Sequence, residues 1–454
     1  MHLFRKMSTI PIPAISLTLS RVSSLLSSLS QPNPQDLIPT IHITGTNGKG
    51  SVSSFLDSIL RASGFRTGRF NSPHLLVPRD SIRINGEPIS QILYDRERMA
   101  VIEEDKKLGT QASEFELLTA TAFRIFASNT SDGENAGAVD IGIIEVGMGG
   151  EGDATNVISS PLVSVFTSID MDHQAFLGNS IADIATVKSG IIKRLRPVVL
   201  GRQRSTDAEE VVKMKAEKMG SSLHRAGVGR IVPGAEEKNI CEIPLHSSET
   251  KWIQASVPLL GTHQLENVST ALTTIEVLRN SCSTLVPRLN AITNESIVRG
   301  IEGTTWPGRL SWHSHPFIPD RRVLLDGAHN PSSMSSLRAY ISSLPKSRFP
   351  QLTLILSLSH PRRPSVLLDP PFDRPTKVLC VEFQQPDGMP WVKALDRAEM
   401  KKEVEGMGMQ AVECKDMAEA LTLAGKEQEE LVVVAGSLYG VADAIRVLEK
   451  AEPR

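Results

Sequence analysis

Only four cysteines occur in the 454 residues, Cys241, Cys282, Cys380 and Cys414, and they are widely scattered. No CxxC pair or metal-ligand spacing links them. This excludes a disulfide scaffold and a thiolate metal site, and reduced thiols are expected. Neither sign of charge dominates: Lys and Arg number 49, Asp and Glu 51, for a formal net charge of −2. That balance leaves no electrostatic footprint for nucleic acid. No apolar run approaches the ~20 residues of a membrane span. Internal repeats and low-complexity tracts are absent too. The first twenty residues contain no acid but carry His2, Arg5 and Lys6 among several serines. A mitochondrial presequence has that flavour, yet only Arg21 continues the basic series, and Ile15 to Leu29 reads better as an amphipathic helix. A cytoplasmic protein is expected, with a mitochondrial one as the alternative.

What is present begins with Thr44-Gly45-Thr46-Asn47-Gly48-Lys49-Gly50-Ser51. The apolar run Ile41-His42-Ile43 precedes it, and the helical stripe Val52, Phe55, Leu56, Ile59, Leu60 follows. A glycine-rich turn between strand and helix aims backbone N–H groups and a positive helix end at one point. Lys49 would add a point charge near the terminal phosphates, and the hydroxyl of Ser51 can ligate Mg²⁺. The spacing is one residue shorter than the usual G-x-x-x-x-G-K-[ST] pattern. Nucleotide phosphate binding is nevertheless the favoured reading over a plain turn.

The chain is too long for one core, so two or three domains are expected. Strands alternate with helices: strands at Ile41–Thr44, Ile141–Val146, Leu162–Ile169 and Pro197–Leu200, helices at Ser51–Ala62, Glu114–Ala127, Ile181–Arg194 and Asp207–Met219. The strands are near-continuous apolar runs, as in a parallel sheet covered on both faces. A small β patch follows (Arg230–Pro233, Cys241–Pro244, Trp252–Val257), then a helix from Gln264 to Asn280. The proline-rich stretch Trp312 to Asp320 lacks periodicity and marks a boundary, giving domains 1–312 and 313–454. Beyond it the alternation restarts at Val323–Leu325, Leu352–Leu358, Val378–Phe383 and Val432–Ala435, a second doubly wound unit. The fold class is α/β: a P-loop-containing central ATPase domain with a parallel sheet, the β patch, and a C-terminal Rossmann-like domain.

Polar residues gather where strands end, the place of the ligand crevice in an open α/β sheet. Glu145 closes an apolar strand, and Asp172 and His173 follow another. Glu145 and His173 could share a crevice with Ser51 or Ser72 and hold Mg²⁺ or Mn²⁺. A buried Glu bonded to backbone and a His at a helix start is the equally open alternative. Lys188 falls on the apolar stripe Ile181, Ile184, Ala185, Ile191, Ile192. Either its stem snorkels, or its head faces a crevice as a reactive amine able to form a carbamate with CO₂. Both readings stand. Asp326 ends another strand, with His329 just behind it and Arg309 upstream at the boundary, able to reach phosphate.

Together these segments resemble the Mur ligase superfamily, and within it the folate branch of dihydrofolate synthases and folylpolyglutamate synthases. The matching stretches are TGTNGKGSV (44–52), FNSPHL (70–75), SIRING (81–86), SEFELLTATAF (113–123), IEVGMGG (144–150), DATNVI (153–158), DHQAFLG (172–178), VKSGIIK (187–193), LLGTHQLENV (259–268), WPGRL (306–310) and DGAHNP (326–331). The resemblance implies ATP- and Mg²⁺-dependent ligation of L-glutamate to a pteroate or folate carboxylate; a monomer is expected, and from the charge balance and the lack of a long apolar run no nucleic-acid or membrane partner is expected. It implies that Thr46, Asn47, Gly48, Lys49, Gly50 and Ser51 hold ATP phosphates. Asn267 would lie on the adenine side, Arg309 and Asp326 would contact the nucleotide, and His329 would sit near the γ-phosphate. Ser51, Ser72, Glu145 and His173 would bind the magnesium, two ions being expected, together with a carbamylated Lys188. Lys49, Lys188 and His329 would serve the chemistry.

Asn47, Asp80-Ser81-Ile82, Gly388-Met389-Pro390-Trp391 and Gly436-Ser437-Leu438-Tyr439 most resemble the fungal dihydrofolate synthases, with folylpolyglutamate synthase as the alternative. Two departures stand out. Glu151-Gly152 replaces the usual Arg-Leu, which suggests an altered pterin side or an inactive member. His360-Pro-Arg-Arg replaces a His-Gly-Lys-Asp-like stretch. A nucleotide switch without ligase chemistry is a further alternative.

Overall fold

A computed structural model describes residues 18–451 apart from residues 31, 129–137, 235–238, 246–251 and 427–429. The basic series from His2 to Lys6 lies outside the described residues. Of the amphipathic segment, Ser20–Leu29 is helical and buries Val22, Leu25 and Leu26. No described helix is long and apolar enough to cross a membrane.

The first sheet comprises β1 (Thr40–Thr44), β2 (Thr67–Phe70), β3 (Ile82–Ile84), β4 (Glu87–Pro88), β5 (Ile141–Glu145), β6 (Val163–Phe166), β7 (Val198–Leu200) and β8 (Leu223–Arg225). Their order is β4-β3-β2-β5-β1-β6-β7-β8. From β2 to β8 all neighbours are parallel, and β1, β5 and β6 are buried along their whole length. The helices Lys49–Ala62 and His263–Ser281 cover one face through Phe55, Leu56, Ile59, Leu272 and Ile275. Glu114–Ala127 covers the other through Phe123 and Phe126.

The parallel sheet expected from the sequence is mixed at one edge, because β3 and β4 run antiparallel. The chain between β2 and β3 holds only the short turn Pro78–Ser81. Without a crossover helix it cannot return for a parallel pairing. Glu114–Ala127 forms with its expected capping box, Ser113 and Glu116 bonding reciprocally. The helix expected to reach Arg194 stops at Ser189. There the chain turns at Gly190, whose Cα lies so close to Glu151 that a Cβ would meet its backbone at 2.6 Å. The expected β patch is the antiparallel sheet of β9 (Arg230–Ile231), β10 (Ile240–Pro244) and β11 (Trp252–Ser256).

The last sheet contains β12 (Ser311–Ser314), β13 (Arg322–Leu325), β14 (Gln351–Leu356), β15 (Thr376–Cys380), β16 (Gln410–Glu413) and β17 (Glu430–Ala435), in the order β12-β13-β17-β14-β15-β16. The stretch expected to be irregular begins as a strand. Trp312 pairs with Leu324 and His313 with Val323 across a proline-containing hairpin turn. A division after residue 312 would cut β12 in two. We propose that the junction lies one step earlier, in the turn Trp306–Leu310.

Candidate active site

The turn after β1 approaches its neighbours too closely for side chains. Gly48 caps the helix Lys49–Ala62 at φ 91°, and a Cβ there would come within 2.4 Å of Asn267 Oδ1. Asn267 is itself held by Gln264, to whose Oε1 it donates at 2.8 Å. The N–H of Thr46 donates to the carbonyl of Ser168 at 2.7 Å, tying the loop to the end of β6. Lys49 curls back over its own loop, 3.1 Å from the Gly45 carbonyl and 3.3 Å from that of Thr46. Its Nζ lies 3.9 Å from Glu145 Oε1.

Glu145, at the end of β5, is 5% exposed. Burial pushes its carboxyl above the usual range, opposed by Lys49 and by the amide of Asn71, which donates to Oε2 at 2.6 Å. The hydroxyl of Ser72 is buried with no hydrogen-bond partner, an orphan that an oxygen-seeking cation would satisfy. His173 takes a left-handed conformation, φ 51°, at the start of a short turn of helix. Burial lowers its pKa to about 4 despite Asp172, so the imidazole is neutral and able to ligate near pH 7. Among the described residues no three His, Cys, Asp or Glu side chains gather as a metal group. A cation here would therefore rest on one carboxylate, hydroxyls, an imidazole and its substrate. That oxygen-rich set suits Mg²⁺.

Lys188 does not snorkel. It is 4% exposed, and its Nζ donates to the Gly45 carbonyl at 2.9 Å. Burial, reinforced by Lys49, lowers its pKa to about 7. A large fraction of it is thus free amine at neutral pH.

Across the cleft, Asp326 at the end of β13 accepts the backbone N–H groups of Leu310 (2.8 Å) and Ala328 (2.9 Å). Arg309 is half-buried and donates to Gly308. His329 Nδ1 lies 2.8 Å from the Gly327 carbonyl, and its Nε2 lies 3.6 Å from Asp172 Oδ2. Asn330 caps the next helix, exchanges amide bonds with Asn47 and donates to Asp172 at 3.2 Å. Burial opposes the ionisation of Asp172, but the bond to His329 and the nearby His173 and Arg362 hold its carboxyl well below the usual range.

The loop, Ser72, Glu145, His173, Lys188, Asn267, Arg309, Asp326 and His329 all line one cleft, whose empty volume, open mouth included, is about 1350 Å³. The structure thus gathers every site residue expected from the sequence. Sequence reasoning missed the cleft-lining His263, Glu266 and Arg204. It also missed the partners of Asp172, among them Arg362, 4.0 Å away. Arg362 belongs to the departing His360-Pro-Arg-Arg stretch, which therefore still brings a cation to the cleft-lining Asp172. Glu151, the other departure, is exposed and is not among the residues lining the cleft.

The Mur ligase middle domain matches residues 89–275, and the dihydrofolate synthetase C-terminal domain matches residues 318–447. The Schizosaccharomyces pombe protein named Probable dihydrofolate synthetase is 34% identical over 96% of this chain and 99% of its own length. The Saccharomyces cerevisiae dihydrofolate synthetase is 32% identical over 96% and 98%. The solved Mycobacterium tuberculosis folylpolyglutamate synthase, complexed with ADP and AMPPCP, superposes with a TM-score of 0.76 at 29% identity, covering 96% of each chain. On these grounds the chain belongs to the dihydrofolate synthase and folylpolyglutamate synthase family of Mur ligases, ATP-dependent enzymes that form an amide bond.

Proposed function

We propose that this protein joins L-glutamate to dihydropteroate, yielding dihydrofolate, ADP and phosphate, in the cytoplasm. The observation that carries the reading is the convergence of Lys49, Lys188 and Glu145 on the Gly45 turn, facing Arg309, Asp326 and His329 across one cleft. The near full-length match to fungal dihydrofolate synthetases supports dihydropteroate over a folate glutamate tail as the acceptor.

A carboxylate resists attack by an amine because oxide is a poor leaving group. Transfer of the γ-phosphoryl group of ATP to the acid gives an acyl phosphate. The glutamate amine then attacks its carbonyl carbon, the C–O bond to phosphate breaks, and the amine proton is lost. Phosphoryl transfer asks mainly for positioning and charge neutralisation. Thr46, Asn47, Gly48, Gly50 and Ser51 hold the phosphates, and Lys49 supplies positive charge. Asn267 faces the adenine, Arg309 and Asp326 fix the nucleotide, and His329 stands by the γ-phosphate. Ser51, Ser72, Glu145 and His173 would hold Mg²⁺, with Lys188 as its carbamate, and the metal would neutralise charge on the transferred group.

Incubation with ATP, Mg²⁺, L-glutamate and dihydropteroate tests the reading. ADP release that requires both acid and amine is expected. Hydrolysis independent of both would mark a nucleotide switch, and silence an inactive member. A preference for tetrahydrofolate monoglutamate over dihydropteroate would reassign the acceptor.

A further inference from the structure

The last sheet meets the cleft at the carboxyl ends of its strands, where Asp326 follows β13. A second cavity opens at the opposite, amino ends, where Arg322 begins β13 and Glu430 begins β17. Its empty volume, open mouth included, is about 1030 Å³. The strand rise from Arg322 to Asp326 separates the two sites by roughly 13 Å. Arg321, Arg322 and Arg348 line this cavity together with Trp312 and Phe349.

The two rings hold two of the guanidiniums in place. Trp312 and Phe349 stack with centroids 6.3 Å apart and planes 24° from parallel. The indole N–H donates to the Tyr340 hydroxyl at 2.8 Å, which fixes the plane of Trp312. Arg322 lies over Trp312 and Arg348 over Phe349, each guanidinium carbon 5.2 Å from its ring centroid. Such stacking occupies a face of the guanidinium and leaves its in-plane N–H groups for an acceptor. Among the described residues, none of the three arginine side chains pairs with a carboxylate or donates a hydrogen bond. Two acids share the lining, Asp320 and Glu430. Glu430 is engaged elsewhere, accepting the Thr353 hydroxyl and, at 2.6 Å, the N–H of Gly425. Asp320 lies in a left-handed turn, φ 60°, and reaches none of the arginines. Three cations against two acids leave the lining positive, and guanidiniums without an acceptor call for an anion. A carboxylate offers two coplanar oxygens to one fork. A phosphoryl group is tetrahedral, so its oxygens can meet guanidiniums that approach from different sides.

We propose that Arg321, Arg322 and Arg348 bind an oligophosphate chain, free or carried by a nucleoside, at a site separate from the cleft. The inference goes beyond the ligase reading and stands whether or not that reading holds.

Calorimetry on the full chain tests it, with inorganic tripolyphosphate as the probe and Lys49→Ala as the background, to weaken competition from the phosphate loop. That protein should still bind tripolyphosphate. Adding Arg322→Gln or Arg348→Gln should each reduce the affinity about 10-fold or more, the scale of one lost charge-assisted hydrogen bond. Both side chains are exposed, so either variant should keep the fold, and a thermal melt checks it. No binding in the Lys49→Ala protein overturns the proposal, as does binding indifferent to both arginines. Citrate, a trianion of carboxylates, should bind at least about tenfold more weakly; equal affinity would overturn the assignment to phosphate. ATP in the same background identifies the source. Affinity equal to that of tripolyphosphate assigns the bare chain, and tighter binding that needs the arginines assigns a nucleotide. In otherwise wild-type protein, Arg322→Gln and Arg348→Gln should leave kcat and KM for ATP within about twofold. A larger change would tie these arginines to the cleft and overturn a separate site.

Discussion

At Lys188, burial and a neighbouring cation act in the same direction, lowering the pKa to about 7. The unfolded chain holds that proton up to about pH 10. Between those limits the unfolded state binds more protons, so stability rises with pH across the window, and the penalty is fully present below pH 7. Lys188→Met should therefore stabilise the protein by about 1–4 kcal/mol at pH 6, with a smaller gain near pH 9.5. Thermal melts in CO₂-depleted buffer check this, and a gain equal at both pH values would contradict the buried-charge account. The same substitution should lower turnover at least about 100-fold if a carbamate is needed as a metal ligand. Lys188→Ala should regain part of that with formate or acetate. Turnover unchanged in both variants would remove the carbamate from the mechanism.

The phosphate loop shows how an element becomes legible. Glycines placed between an apolar strand and an amphipathic helix have few structural meanings, and the polar ends of β5, β6 and β13 follow from the rule that α/β crevices form at strand termini. What stayed hidden depends on contacts distant in sequence. The helix ending at Ser189 stops where Gly190 meets Glu151. Arg322 lies over Trp312 only once β12 and β13 are in register. Asn267, some two hundred residues from the loop, decides how tightly the loop is confined. Gly48→Ala would set a Cβ within 2.4 Å of Asn267 Oδ1 while holding φ at 91°, where L residues are strained. Such strain costs about 1–3 kcal/mol, so calorimetry should record ATP affinity reduced about tenfold or more. Wild-type affinity in that variant would mean the loop yields freely.

Across the whole molecule, the two sheets meet through Asp172. Its carboxylate, on the phosphate-loop side, faces His329 at 3.6 Å, Asn330 at 3.2 Å and Arg362 at 4.0 Å, all from the other side. Ser332 adds a bond to Asp170 at 3.1 Å, and Arg446 holds the Leu76 carbonyl at 2.7 Å from the far end of the chain. The acid thus sits where closure of the two halves would assemble His329 beside the loop. Closure also excludes the water that would hydrolyse an acyl phosphate. Asp172→Ala removes the carboxylate that both His329 and Arg362 approach. Its partly buried setting sets that cost at about 1–3 kcal/mol. Asp172 reaches the proposed phosphate loop only through Asn330, so nucleotide affinity by calorimetry should change less than about threefold, whereas kcat should fall about 10- to 100-fold. ATP hydrolysis should rise relative to amide formation, because an incompletely closed cleft admits water. Scattering on the nucleotide-bound variant should give a larger radius of gyration than wild type. If kcat falls while the radius and the hydrolysis ratio hold at wild-type values, Asp172 acts locally on His329 and is no clasp between the halves.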